Sequence, residues 1–335
     1  MIKSIEISSF GPIDRAECND LGQINLFIGH NGSGKTFLLK ALYAALRTVE
    51  IYRRGKEQRS EKEILSDKLY WTFQAPTLGE LVKKGDNSLS FSMKSSKDEV
   101  FSYGFGNSTI KNVATVGNTF EQKADNTIFI PAKEILSLRD VILEARENFS
   151  SFGFDDAYYD LARALRPTTK GRNVKSFAKA RKSLETIIGG RIGYDEKQKA
   201  WFFYGDNNKK FDLSITSEGI KKISILDALL GNHYLSKGSI VIIDEAEANL
   251  HPEMISRFMD IVFELAKGGL QFFISSHSYF VIKKLYILAQ KHQMSIPTWS
   301  FEKGLAERFD LFEEMPENAI VNESIRLYKQ EIGAE

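Results

Sequence analysis

Thirteen residues near the start of the chain, INLFIGHNGSGKT from Ile24 to Thr36, have the types and spacing needed to grip a phosphate. A mostly apolar run ends in Gly29-His30-Asn31-Gly32-Ser33-Gly34-Lys35-Thr36, and a helix-like pattern follows from Phe37. This is G-x-x-x-x-G-K-[ST] in its required setting of strand, glycine loop and helix. The glycines let successive backbone N–H groups curl toward phosphate oxygens, and the N-terminus of the next helix adds partial positive charge. Lys35 is placed to reach the β- and γ-phosphates, and the Thr36 hydroxyl to ligate Mg²⁺. A glycine-rich turn with a chance lysine is the bland alternative, and the matched flanking elements weigh against it. The stretch implies a nucleoside triphosphate with Mg²⁺.

About two hundred residues later stands Ser239-Ile240-Val241-Ile242-Ile243-Asp244-Glu245. The β-branched run suits a strand buried on both faces. An acid at the carboxyl end of such a strand lies where ligands gather in open α/β sheets. Asp244 is then the candidate metal ligand, and Glu245 the candidate general base for an attacking water.

These two segments need a sheet to bring them together. Late in the chain, strands and helices alternate: helix 218–230, strand 240–243, helix 253–267, strand 271–275, helix 279–292. That order indicates a parallel sheet covered by helices. The strand before the glycine loop is expected in the same sheet, which makes the middle of the chain an insertion and not an independent unit. Strands are expected at 2–8, around 16–18 and at 127–130, with an antiparallel meander over 87–130. A helix follows the glycine loop to about Arg53, and the charged stretch from Arg53 to Lys68 reads as a solvated helix end. From Glu134 to Gly189 the pattern is helical with breaks, then a β hairpin fills 191–211. Strands at 298–301 and 308–312 and a helix at 322–332 close the chain. The expected fold is α/β: one P-loop nucleotide-binding domain over 1–335, with an N-terminal lobe (1–130), a helical insertion plus hairpin (131–210) and a C-terminal lobe (211–335).

The 335 residues carry a net charge of +1, so nucleic-acid binding would have to be local. The single cysteine, Cys18, excludes an internal disulfide. The first residues lack the apolar core of a signal peptide, and no apolar run nears the ~20 residues needed to span a bilayer. The expectation is a soluble cytoplasmic chain without a membrane partner.

Asp244-Glu245-Ala246-Glu247-Ala248-Asn249-Leu250-His251-Pro252 resembles the Walker B and D-loop of ABC-type ATPases of the SMC and RecF kind. It is similar above all to stand-alone ATPases related to the overcoming-lysogenization-defect (OLD) family. Ile274-Ser275-Ser276-His277-Ser278 resembles their switch-histidine segment, which implies that His277 contacts the γ-phosphate. Pro131-Ala132-Lys133-Glu134 resembles the stretch these ATPases carry near the Q-loop position. No Leu-Ser-Gly-Gly-Gln signature is present. The nearest candidate is 215–222, where Ser217 and Gly219 would meet the γ-phosphate held by a second subunit; a plain helix N-cap is the lesser alternative for Ser217. The resemblance implies an ATPase that closes as a homodimer, or a higher assembly, around two ATP–Mg²⁺.

Bases cluster between Asp160 and Glu185. If 172–188 is helical, Arg172, Lys175, Lys179 and Lys182 share one face. Such a stripe suits nucleic acid or an acidic protein partner, and equally a solvated face. No long coiled coil fits between Glu134 and Gly189. Nothing after Ile296 resembles the acidic metal cluster of an OLD-type nuclease domain. The main expectation is therefore a regulatory ATPase acting on a separate nuclease or toxin, as in antiphage defence. The rivals are a RecF-like ATPase that binds DNA itself, and a protein that holds ATP without hydrolysing it and restrains a toxin.

Overall fold

Strands that are apolar on both faces must be covered on both, and helices on each side of one large sheet do this. The computed structural model describes residues 1–123, 125–167, 175–195, 197–198, 200–205 and 209–333. In chain order the strands begin with β1 (Ile2–Phe10), β2 (Ile13–Cys18) and β3 (Ile24–Gly29). They continue with β4 (Ser88–Ser95), β5 (Val100–Gly106), β6 (Thr115–Asn118) and β7 (Thr127–Ile130), then β8 (Gly190–Asp195), β9 (Ala200–Gly205) and β10 (Lys210–Asp212). The last are β11 (Ile240–Ile243), β12 (Gln271–Ser276), β13 (Pro297–Glu302) and β14 (Leu305–Asp310). The helices are α1 (Lys35–Ile51), α2 (Glu61–Phe73), α3 (Arg139–Glu147), α4 (Asp156–Ala164) and α5 (Lys175–Ile188). They are followed by α6 (Glu218–Gly231), α7 (Pro252–Lys267), α8 (Tyr279–His292) and α9 (Ala319–Glu331).

The large sheet runs β6-β5-β4-β1-β2-β14-β13-β3-β12-β11-β7. Its last five strands are parallel, and β3 lies between β13 and β12. The expected α/β class is thus borne out, with the antiparallel meander at one edge and the glycine-loop strand among the late strands. Strand parity explains the packing. Phe27, Phe129, Ile242 and Phe273 join Leu38, Leu42 and Ala45 of α1 in one core. Their neighbours Leu26, Ile28, Ile130, Ile243 and Ile274 join α5–α8 on the other face. Each fully buried isoleucine contributes about 1.5–3 kcal/mol. An aspartate at Ile242, where exposure is nil, would strand a charge between α1 and the sheet.

Two expectations are corrected. The charged stretch 53–68 is not a solvated helix end. Ser60 starts α2 with a full capping box, its hydroxyl accepting from Glu63 N while Glu63 reaches back to Ser60 N. On α2, Lys68 is buried and ion-paired with Asp156 at 2.7 Å and Asp160 at 2.9 Å, so its charge faces α4. The 191–211 hairpin gains a third strand: β8, β9 and β10 form their own antiparallel sheet.

Candidate active site

The glycine loop turns as its sequence requires. Gly29 has φ +134°, and a Cβ there would lie 2.2 Å from the Phe301 carbonyl oxygen. Gly34 caps α1 at φ +109°, a left-handed conformation that side chains resist. His30, Asn31 and Gly32 are exposed between them, while Ser33 is buried. Lys35 folds back under the loop, where its amine donates to the carbonyls of Gly29 at 2.9 Å and His30 at 2.8 Å. Burial pushes the Lys35 pKa down to about 8, partly opposed by Asp244, Glu245 and Glu247.

Parallel pairing of β3, β12 and β11 brings the other half of the site to this loop. Thr36 Oγ1 donates to Asp244 at 3.1 Å and 3.2 Å to its two oxygens, across 208 residues of sequence. Ser275, at the end of β12, donates its hydroxyl to Asp244 Oδ1 at 2.5 Å and accepts the Glu245 N–H at 2.8 Å. A hydroxyl and a carboxylate converging on one point form an all-oxygen donor set, which suits Mg²⁺ completed by phosphate oxygens. Glu245 turns away from the strand at φ +47°, a costly conformation for a non-glycine residue.

His277 follows the same strand and is half-buried. Burial first, and Lys35 beside it second, hold its imidazole pKa below the usual histidine range, while a hydrogen bond to the Gly29 backbone works the other way. The switch segment has a clamp that sequence reading did not identify. Glu247 accepts the His277 N–H with Oε1 at 2.5 Å and the Ser276 hydroxyl with Oε2 at 2.8 Å.

A second missed residue is Lys222 of α6. Its amine is buried and donates to the Glu245 carbonyl at 2.5 Å, bracing the strained turn. Burial draws the Lys222 pKa down to about 8 despite the nearby Glu247, Asp244 and Glu245. An apolar helix with two adjacent lysines gives one signal for such a role: one turn of a buried helix cannot keep both in water. Its neighbour Lys221 is buried as well, 3.5 Å from Glu134 of the Pro131–Glu134 stretch. The Asp244 N–H donates to the Ile130 carbonyl at 2.9 Å, so that stretch springs from the strand end beside the acidic pair.

Lys35, Thr36, Asp244, Glu245 and His277 are therefore gathered at one end of the parallel strands. Ser217 and Gly219 are not part of that cluster. Ser217 is exposed and caps α6, its hydroxyl accepting from Ile220 N at 3.4 Å. Gly219 is buried because its Cα abuts the Asn249 carbonyl, which a Cβ would approach to 2.6 Å. Lys175, Lys179 and Lys182 are exposed along one side of α5, while Arg172 lies outside the described residues. Arg181 of the same helix turns inward to Asp227 at 2.8 Å. Among the described residues, no helix is long and apolar enough to cross a membrane.

A family model described as "AAA domain, putative AbiEii toxin, Type IV TA system" matches residues 24–283. The fold is similar to an SMC head bound to the C-winged helix domain of ScpA, with 12% identity over 92% of this chain and 97% of that one, TM-score 0.55. It is similar to the Smc head with an extended coiled coil from Pyrococcus furiosus, bound to the C-terminal domain of ScpA, with 11% identity over 98% of each chain, TM-score 0.52. The SMC head domain from Thermotoga maritima gives 14% identity over 92% of this chain and 98% of that one, TM-score 0.50. No curated protein matches the chain.

Proposed function

The chain belongs to this AAA-domain family, with an SMC-head-like P-loop ATPase fold, and from that premise we propose that it binds and hydrolyses ATP between two copies of itself. The observation that carries this reading is the meeting of Thr36 with Asp244 beside the buried Lys35. Lys35 leaves its loop carbonyls for the β- and γ-phosphates, and the loop N–H groups take the remaining oxygens. Thr36 and Asp244 would hold Mg²⁺, which when bound neutralises charge on the phosphates. Glu245 accepts the proton of the attacking water, and neutral His277 donates to the γ-phosphate. Ser217, Gly219 and the N-terminus of α6 serve the nucleotide of the partner copy.

Closure on ATP and release on hydrolysis then act on a separate effector protein, a nuclease or toxin. The family's description, a putative toxin of a type IV toxin–antitoxin system, supports a place in such a system. The experiment is sedimentation of Glu245→Gln, which should bind ATP–Mg²⁺ without turnover and persist as a dimer. A Glu245→Gln chain that stays monomeric at saturating ATP–Mg²⁺ sinks the sandwich.

A second reading, DNA binding by the ATPase itself, rests on the exposed Lys175, Lys179 and Lys182. Three aligned lysines, unpaired among the described residues, fit a phosphate backbone, though far more weakly than a full basic groove.

A further inference from the structure

Away from the glycine loop, at the other end of α1, a cavity of about 680 Å³ opens between α1, α2, α3 and α4. Cavities of roughly 300–1,000 Å³ hold small-molecule ligands. Seven Arg and Lys side chains face five carboxylates around it, a surplus of two positive charges. The deep charges are already spoken for. Asp160 accepts from Tyr43, Arg47 and Lys68, and Asp156 from Lys68 and Arg146. The surplus sits at the exposed Arg163 and Arg166. Arg163 lies 5.6 Å from the Tyr159 ring centroid, and Arg166 donates to the Arg163 carbonyl at 3.3 Å. Neither is ion-paired among the described residues.

We propose that this cavity binds a nucleoside-sized phosphomonoester, its phosphate taken by Arg163 and Arg166 and its ring system packed beside Tyr159. A phosphomonoester carries about −1.5 to −2 at neutral pH, which matches the surplus, and guanidinium forks fit its oxygens. Five carboxylates around a concave mouth oppose a duplex, whose backbone needs an open row of free cations. Helix α4 packs this cavity against α1, the helix that begins at Lys35. Asp156, Tyr159, Asp160 and Arg163 face the cavity, while Asp155, its N-cap, pairs with Lys40 of α1 at 2.6 Å. Ligand binding here is therefore expected to change the rate of ATP turnover.

The test uses the full chain carrying Lys35→Ala, which disables the glycine loop, with adenosine 5′-monophosphate as the probe in isothermal calorimetry. Saturable binding is expected, weakened about tenfold or more when Arg163→Ala and Arg166→Ala are added. Both side chains are exposed, so a thermal melt should be unchanged by their removal. No saturable binding, or binding indifferent to the two arginines, overturns the proposal. Inorganic phosphate binding as tightly as the nucleotide removes the nucleoside part of it. Loss of duplex DNA binding in place of nucleotide binding reassigns the arginines to nucleic acid and overturns it.

Discussion

The Glu247 carboxylate spans the backbone N–H of His277 and the hydroxyl of Ser276, so the acidic loop after β11 fixes the start of the segment after β12. Charge-assisted bonds of this kind are worth about 1.5–3 kcal/mol each. Glu247→Gln keeps one acceptor oxygen and loses the charge. ATP binding should survive in this variant, while turnover falls about tenfold or more. Parallel measurement of nucleotide affinity and kcat separates the two, and equal loss of both would show that Glu247 merely supports the fold.

The His277 pKa is held below the usual value by burial and by Lys35, so the ring is neutral at pH 7 and gains its proton only as pH falls further. Turnover should hold through the ordinary histidine range and decline only below it, with that acid limb absent in His277→Gln. An acid limb of the same shape in the variant would remove His277 from the γ-phosphate.

Lys222 trades stability for position. With its pKa at about 8 against an ordinary 10.5, keeping the charge in the fold costs about 3 kcal/mol at neutral pH. Lys222→Met removes that cost but leaves the carbonyls of Asp244 and Glu245 short of a donor, at about 1–3 kcal/mol. Stability at pH 7 should therefore change little, or rise, while turnover drops as the Glu245 turn loosens. Between pH 8 and 10.5 the unfolded chain holds this proton and the folded chain does not, so the parent gains stability relative to the variant as pH rises. Denaturant melts at several pH values read this directly, and a trend of the opposite sign would contradict the burial argument.

The triple change of Lys175, Lys179 and Lys182 to alanine should weaken duplex binding and flatten the slope of log K against log salt by about three. An unchanged slope would leave α5 as a solvated face, without effect on the ATP site.

What was legible in the sequence divides along physical lines. Backbone-driven features read out well: the glycine loop, the boundaries of β11 and α8, and the shared sheet that brings Thr36 to Asp244. Glycine spacing and β-branched runs report local backbone demands, and these survive in a one-dimensional string. Buried and half-buried charge did not read out. Lys68, Lys222 and Glu247 look like solvent residues until their partners arrive from distant segments, as Asp156 and Asp160 do for Lys68. Ser60 and Glu63 did carry a local signal, a capping box, that marks the start of α2 inside the charged stretch. The composite role proposed for Ser217 and Gly219 has no counterpart in one copy, where Ser217 caps a helix and Gly219 packs on Asn249.

That two copies build each site is tested most directly by mixing two inactive chains. Lys35→Ala lacks the phosphate grip, and Ser217→Arg blocks the face offered to a partner at a cap cost of about 1 kcal/mol. A mixed dimer retains one intact composite site, formed by the glycine loop of the Ser217→Arg copy and the α6 N-terminus of the Lys35→Ala copy. ATP turnover should be absent in either chain alone and reappear on mixing. Turnover in Ser217→Arg alone, or silence in the mixture, would contradict the account.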